Sequence, residues 1–423
     1  MVCHRVSVFL KYMDYITSKV RKTLTNEPYI LSVSELRAMM RQNQYDVAET
    51  QHVTESSKRG ESYYEDGRPG DGKLRDARVA FFKEVIYRDR KTDGFTMQYP
   101  HGRIIRQGAR NSYYRGENQI YESSQPSLFR TLDTLTEDEK KLYRFVSQMR
   151  IAEFQIFLNK LGIVQFWQAN YGTVLYEPLA QHYGLETRWL DITSDLDVAL
   201  FFATCKYDSG SKRWCPLTKA DTELNEKTKY GVIFHIPGWQ AERFNMLSGS
   251  GDEYVRNEIL PIGYQPFMRC HSQHGYGICM KKPFPLQEDR QFEKLYFRHD
   301  EKFSREIFEK MDCGRKIYPQ EGLNQFDDII EQIKHTTFFS REAFDIAQTD
   351  EDCEFTEAEV QKLIDDRECC KRIFGDEIII TTEEPIKVSR QRIKACNMHY
   401  DGFSIEKNYG IKRSMRWVYI PPV

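Results

Sequence analysis

Apolar residues recur along this chain with two periods, and the places where one period gives way to the other mark its elements. Behind Thr136-Glu-Asp-Glu139, a capping box, Leu142, Phe145, Val146, Met149, Ala152 and Ile156 fall on one face and predict a long helix. Val6, Phe9, Leu10, Met13, Ile16 and Val20 predict an amphipathic helix at the N-terminus, within 1–27. Ser34 is the expected cap of a short helix carrying Leu36, Met39 and Met40, and Arg78 to Ile86 has helical spacing. Thr356-Glu-Ala-Glu359 opens a helix over 360–372. Alternation of period two appears at Tyr230–Pro237, where Val232, Phe234 and Ile236 oppose Ile233 and His235. Shorter extended stretches are expected at 28–32, 95–99, 112–117, 260–264 and 276–280, with two strands or a strand and turn over 377–388. The sum is an α+β protein, a mixed and mostly antiparallel sheet with flanking helices.

The stretch Gln181 to Thr204 combines both kinds of signal. A Gly turn (Tyr183-Gly184-Leu185) leads into Arg188, Asp191, Thr193 and Ser194, and then into Leu196, Ala199, Leu200 and Ala203 at helical spacing. Ser194 is the expected N-cap, with Asp197 three residues on completing the box. Taken alone, this is a capped helix behind a polar loop that an Arg188–Asp191 pair would staple.

Polar, turn-rich sequence over 46–76 reads as a surface insertion, and 208–228 as a second one. The main domain is expected over 28–335, followed by an α/β extension over 336–423. Composition narrows the function classes. The net charge is −2 over 423 residues, which argues against a strong overall nucleic-acid footprint. No apolar run approaches the ~20 residues that span a bilayer, and no membrane partner is expected. Ten scattered cysteines without a CxxC pair, behind an N-terminus interrupted by Lys11 and Asp14, read as reduced thiols in the cytoplasm. Cys270, His271, His274 and Cys279 lack the two close pairs of common zinc sites, and no metal is expected. Near the C-terminus Lys387, Arg390, Arg392 and Lys394 precede Tyr400, Phe403, Tyr409 and Trp417, a mixture able to touch nucleic acid or to form a solvated face over a small core.

Several motifs occur in order: Tyr114-Arg115-Gly116, then Pro126-Ser-Leu-Phe-Arg130, then Glu153-Phe154, then Gln181-His182-Tyr-Gly184 with Thr187-Arg188, Leu190-Asp191, Thr193 and Val198-Ala-Leu200. Arg269 with Ser272-Gln273-His274-Gly275 follows, and then 314–319 and 326–333. Together they resemble the FRG family, whose name comes from its Phe/Tyr-Arg-Gly motif. The likeness runs over about 28–335 and leaves the biochemical activity open.

A more distant likeness is to ADP-ribosyltransferases of the Arg-Ser-Glu type. That resemblance implies NAD as a substrate, with no other cofactor required. Arg115, Asp191, Thr193, Ser194 and Gln273 would then be catalytic, with Tyr114, Gly116, His182, Arg188 and Arg269 around the dinucleotide. Arg115 would hold phosphates, a hydroxyl would hold the amide or ribose edge, and a carboxylate would stabilise the cation left as nicotinamide departs. The sequence departs from the pattern in having Asp191-Ile-Thr-Ser194 for the Ser-Thr-Ser strand and the neutral Gln273 for the closing Glu. In a purely structural alternative Arg115 pairs with Asp191 and Gln273 satisfies buried backbone. Two classes follow: an NAD-consuming transferase or glycohydrolase, or a non-catalytic nucleotide- or nucleic-acid-binding module in bacterial stress or defence.

Overall fold

A computed structural model describes residues 28–48, 86–89, 94–99, 102–106, 112–132, 134–170, 173–237, 256–262, 265–320, 322–350 and 355–400. The N-terminal helix expected within 1–27, most of the 46–76 insertion and the stretch 78–85 lie outside these residues. Ile86, expected at the end of a helix, begins a strand instead.

The centre is a seven-stranded sheet. We number its strands β1 (Tyr29–Leu31), β2 (Ser112–Glu117), β3 (Trp189–Thr193), β4 (Tyr230–Pro237), β5 (Arg256–Pro261), β6 (Gly275–Met280) and β7 (Glu293–Arg298). Their order is β1-β7-β4-β2-β3-β6-β5. The β1–β7 pair is parallel and the others are antiparallel, as the α+β reading requires.

Alternation along the strands sorts two cores. Tyr113, Leu190, Ile192, Val232, Phe234, Ile236, Tyr276 and Ile278 share one cluster, on what we call the inner face. Tyr114 and Ile233 belong to another, on the outer face, with the apolar side of α3. The helices needed below are α1 (Glu137–Asn159), α2 (Tyr176–His182), α3 (Leu196–Thr204), α4 (Met268–Ser272), α5 (Asp327–His335) and α6 (Arg390–Tyr400). Leu142, Phe145, Val146 and Met149 of α1 pack against Phe339, Phe344, Val360 and Ile378, so the chain beyond 336 covers one side of that helix.

Caps explain most boundaries that moved. Thr136 and Glu139 form the expected box at α1, as do Thr356 and Glu359. The helix Val33–Ala48 begins one residue before the expected cap, because Ser32 and Glu35 make the reciprocal bonds (2.8 and 3.3 Å). Ser194 is not the cap of α3. Its N–H donates to the His274 carbonyl and keeps it in the ladder, so Asp195 caps, its Oδ1 accepting from the Asp197 N–H at 2.8 Å. The helix expected over 360–372 is two, Glu357–Asp365 and Arg367–Phe374, because Asp366 caps a new start. Within 377–388 the strand is Ile379–Thr381, parallel to Phe338–Ser340. The polar 208–228 stretch is anchored by a hairpin, Cys205–Asp208 with Arg213–Pro216, whose Trp214 packs on Phe201, Phe202 and Tyr318.

Candidate functional site

β2 and β3 are joined at a single pair, Tyr114 with Thr193, and then part. The bonds from Ser194 N–H to His274 O and from Met280 N–H to Arg188 O commit the even-numbered residues of β3 to β6. The Asp191 carbonyl therefore faces β2, where no strand amide takes it. Arg115 takes it instead: Nη1 donates to Asp191 O at 2.8 Å. Its Nε donates to Glu117 Oε1 at 2.9 Å. Arg115 and Glu117 are two residues apart on one strand and so share a face. The other Glu117 oxygen accepts from Ser124 Oγ at 2.6 Å, which fills the carboxylate. Gln287 holds Ser124 in turn, through Nε2 to Ser124 Oγ (2.6 Å).

A second guanidinium comes from Arg130. Its Nε donates to the Gln125 carbonyl at 3.0 Å. It is exposed on one side and crowded by protein on the other. Burial and then the charge of Arg115 push its pKa below the usual value. Tyr121 closes the group; burial and then the Glu117 charge raise its phenol, and both arginines oppose that rise. Two guanidinium groups therefore surround one carboxylate. Among the described residues Nη2 of Arg115 and both Nη atoms of Arg130 make no hydrogen bond.

The other predicted residues lie elsewhere. Tyr114 and Thr193 share a face by register, and Arg115 and Asp191 are one and two residues from them. The side chains of Arg115 and Asp191 thus leave the sheet on opposite faces. The pairing of an Arg115 guanidinium with an Asp191 carboxylate does not form. On the outer face, Thr193 Oγ1 donates to Gln273 O at 2.7 Å. Gln273 Oε1 lies 3.0 Å from His182 Nδ1, and Gln273 Nε2 donates to Ile317 O at 3.4 Å. His182 Nε2 is 3.6 Å from Asp191 Oδ1. Arg269 Nη1 donates to His182 O at 2.9 Å, and its guanidinium lies over Tyr183 at 4.1 Å and Tyr318 at 5.4 Å. Thus His182, Asp191, Thr193, Gln273 and Arg269 come together, without Arg115.

Three expected residues have other work. Tyr114 stacks on His235 at 4.9 Å inside the outer core. A Cβ on Gly116 would stand 1.7 Å from the Ala199 carbonyl oxygen, so this glycine lets β2 meet α3. Arg188 precedes β3, at the end away from Ser194, and pairs with Glu177 (3.2 Å) and Asp350 (3.3 Å) rather than with Asp191. Ser194 Oγ is buried without a hydrogen-bond partner.

The family whose model matches this chain is the FRG domain, over residues 110–212. The chain carries an FRG domain. No curated protein and no solved structure matches the chain. The match to the FRG domain includes Arg115, Glu117, Arg130, His182 and Asp191, and excludes Arg269 and Gln273. Glu117 was legible as the residue two beyond Arg115 on a strand. Tyr318 had no signal; only tertiary contact brings it to Arg269.

No three His, Cys, Asp or Glu side chains gather as a metal site among the described residues. Cys270 is in the core and Cys279 lies in β6. Eight described cysteines are free thiols. No described helix is long and apolar enough to cross a membrane. Of the C-terminal basic set, Arg392 is taken up by Asp328 (2.6 Å) and by the Phe326 ring (5.0 Å), and residues 401–423 lie outside the described ones.

Proposed function

We propose that the FRG domain binds a phosphate-bearing nucleotide, with NAD as the ligand to test first, at the gap where β2 and β3 part. One observation carries this reading. Arg115 and Arg130 both border Glu117, whose oxygens are already used by Arg115 and Ser124. The surplus positive charge and the spare N–H groups suit phosphate oxygens, which accept charge-assisted hydrogen bonds in pairs. Tyr121, with a ring 40% exposed beside these groups, offers a face on which a base can stack.

NAD consumption is the finer reading that the transferase likeness suggests. It needs a carboxylate near the bond that breaks, and Asp191 stands on the other face of the sheet. Glu117 is on the correct face but is held by Arg115 and Ser124. Binding without turnover is therefore the expectation that this geometry favours.

Calorimetry and melting with NAD, ADP and inorganic phosphate test the proposal, with nicotinamide release followed in the same samples. NAD and ADP should bind the wild type. Arg115→Ala and Arg130→Ala should each weaken binding by about tenfold or more, as expected for losing a hydrogen bond to a charged group worth ~1.5–3 kcal/mol. No binding of either nucleotide to the wild type would refute the reading. Nicotinamide release that disappears in Arg115→Ala would restore the transferase.

A further inference from the structure

The outer face holds a second polar group that the nucleotide reading does not use. His182 ends α2, and its side chain is 2% exposed. Its Nε2 is buried and has no hydrogen-bond partner. The facing Asp191 Oδ1, 3.6 Å away, is also buried without one, although the Asp191 side chain as a whole is 30% exposed. Two buried, unsatisfied groups side by side are costly, and most such atoms in folded proteins have a partner.

The ring's tautomer follows from its other nitrogen. Gln273 Nε2 donates to the Ile317 carbonyl, so Gln273 Oε1 is the atom turned to His182. That oxygen can only accept, so His182 Nδ1 carries the hydrogen. The neutral ring then presents Nε2 as an acceptor. Asp191 Oδ1 is an acceptor as well. What fits between them is a group with several N–H donors on one atom.

Arg269 supplies the opposite end. It is held between the rings of Tyr183 and Tyr318, and spends one N–H on the His182 carbonyl. Asp191 and Arg269 both act on the Tyr318 phenol, in opposite senses, yet no ion pair joins them to each other among the described residues. Space is kept over Asp191 by its cross-strand neighbour, Gly277. Gly275 lets the imidazole lie against β6: a Cβ there would meet His182 Cε1 at 3.4 Å.

We propose that His182, Asp191 and Arg269 bind a small zwitterion of the free amino-acid class, its ammonium on His182 Nε2 and Asp191 Oδ1 and its carboxylate on Arg269. Gln273 is a positioning residue that sets the His182 tautomer. This site lies on the face opposite Arg115 and does not rest on nucleotide binding there.

The test is a melting and calorimetry screen of the full chain with the free L-amino acids at millimolar concentration, each paired with its N-acetyl and carboxamide forms. At least one free amino acid should raise the melting temperature, and neither blocked form of it should. Asp191→Asn should weaken that binding by about tenfold or more, and Arg115→Ala should leave it unchanged. The proposal is overturned if no free amino acid binds the wild type, which would leave only water at the pair. Equal binding of the N-acetyl form, or unaltered binding to Asp191→Asn, would overturn it too. The blocked ligands are read on wild-type protein, so the result does not depend on how well the variant folds.

Discussion

Lys294 stands in β7 almost wholly buried, its Nζ donating to the Asp289 carbonyl at 2.7 Å. Burial pushes its pKa from the usual 10.5 down to about 8, against the opposing pull of Asp289. The sign of the effect on stability follows. Between pH 8 and 10.5 the unfolded chain holds the proton and the folded one does not, so stability rises with pH in that window. Below about pH 8 both states are protonated and the whole penalty is present. Lys294→Met should therefore stabilise the protein at pH 7. The shift sets an upper bound of about 3 kcal/mol, and losing the bond to Asp289 offsets ~1 kcal/mol of it. Urea titrations at pH 7 and pH 9.5 check this. A variant less stable than wild type at pH 7, or one that keeps the rise above pH 8, would count against the buried charge.

Among the elements, the contact of β2 with α3 decides how Arg115 is held. Gly116 lies against Ala199 of the helix, and the obstacle to a side chain there is a backbone carbonyl that cannot rotate away. Gly116→Ala must therefore separate strand and helix. Overpacking usually costs ~1–3 kcal/mol, and with the obstacle in a helix backbone we expect about 3 kcal/mol or more by chemical denaturation. A loss below ~1 kcal/mol would mean that β2 and α3 are more loosely joined than these positions imply. The same contact accounts for the middle residue of the Tyr-Arg-Gly motif. Tyr114 and Gly116 face α3, and the arginine between them is turned to the other side, into the gap beside β3.

At the scale of the molecule, the part matched by the family is not a folding unit on its own. The match ends at residue 212, yet β4, β6 and β7 complete the sheet. The chain beyond 336 then covers α1 through Phe339, Phe344, Val360 and Ile378, and Arg392 of α6 ties it to Asp328 of α5. Cutting the chain after His335 would bare Leu142, Phe145, Val146 and Met149, an apolar strip of the kind that leads to association. The truncated chain should be insoluble or melt without a cooperative transition. A soluble product with the wild-type melting temperature would show that the extension is an independent appendage.

The sequence by itself determined the local elements and the family. Caps at Thr136 and Thr356, the alternation in β4 and the Tyr-Arg-Gly motif are local patterns, and local geometry produces them. It also carried the pairing of Arg115 with Glu117, since residues two apart on a strand share a face. Only the tertiary structure decided which polar groups meet. The alternation within a strand is local, but the register between two strands is not, and one residue of slip turns every side chain to the other face. The Tyr114–Thr193 pair sends the Arg115 and Asp191 side chains to opposite sides of the sheet. A set that reads as one constellation along the chain thus becomes two sites in space, with the arginines on the inner face and His182, Asp191 and Arg269 on the outer.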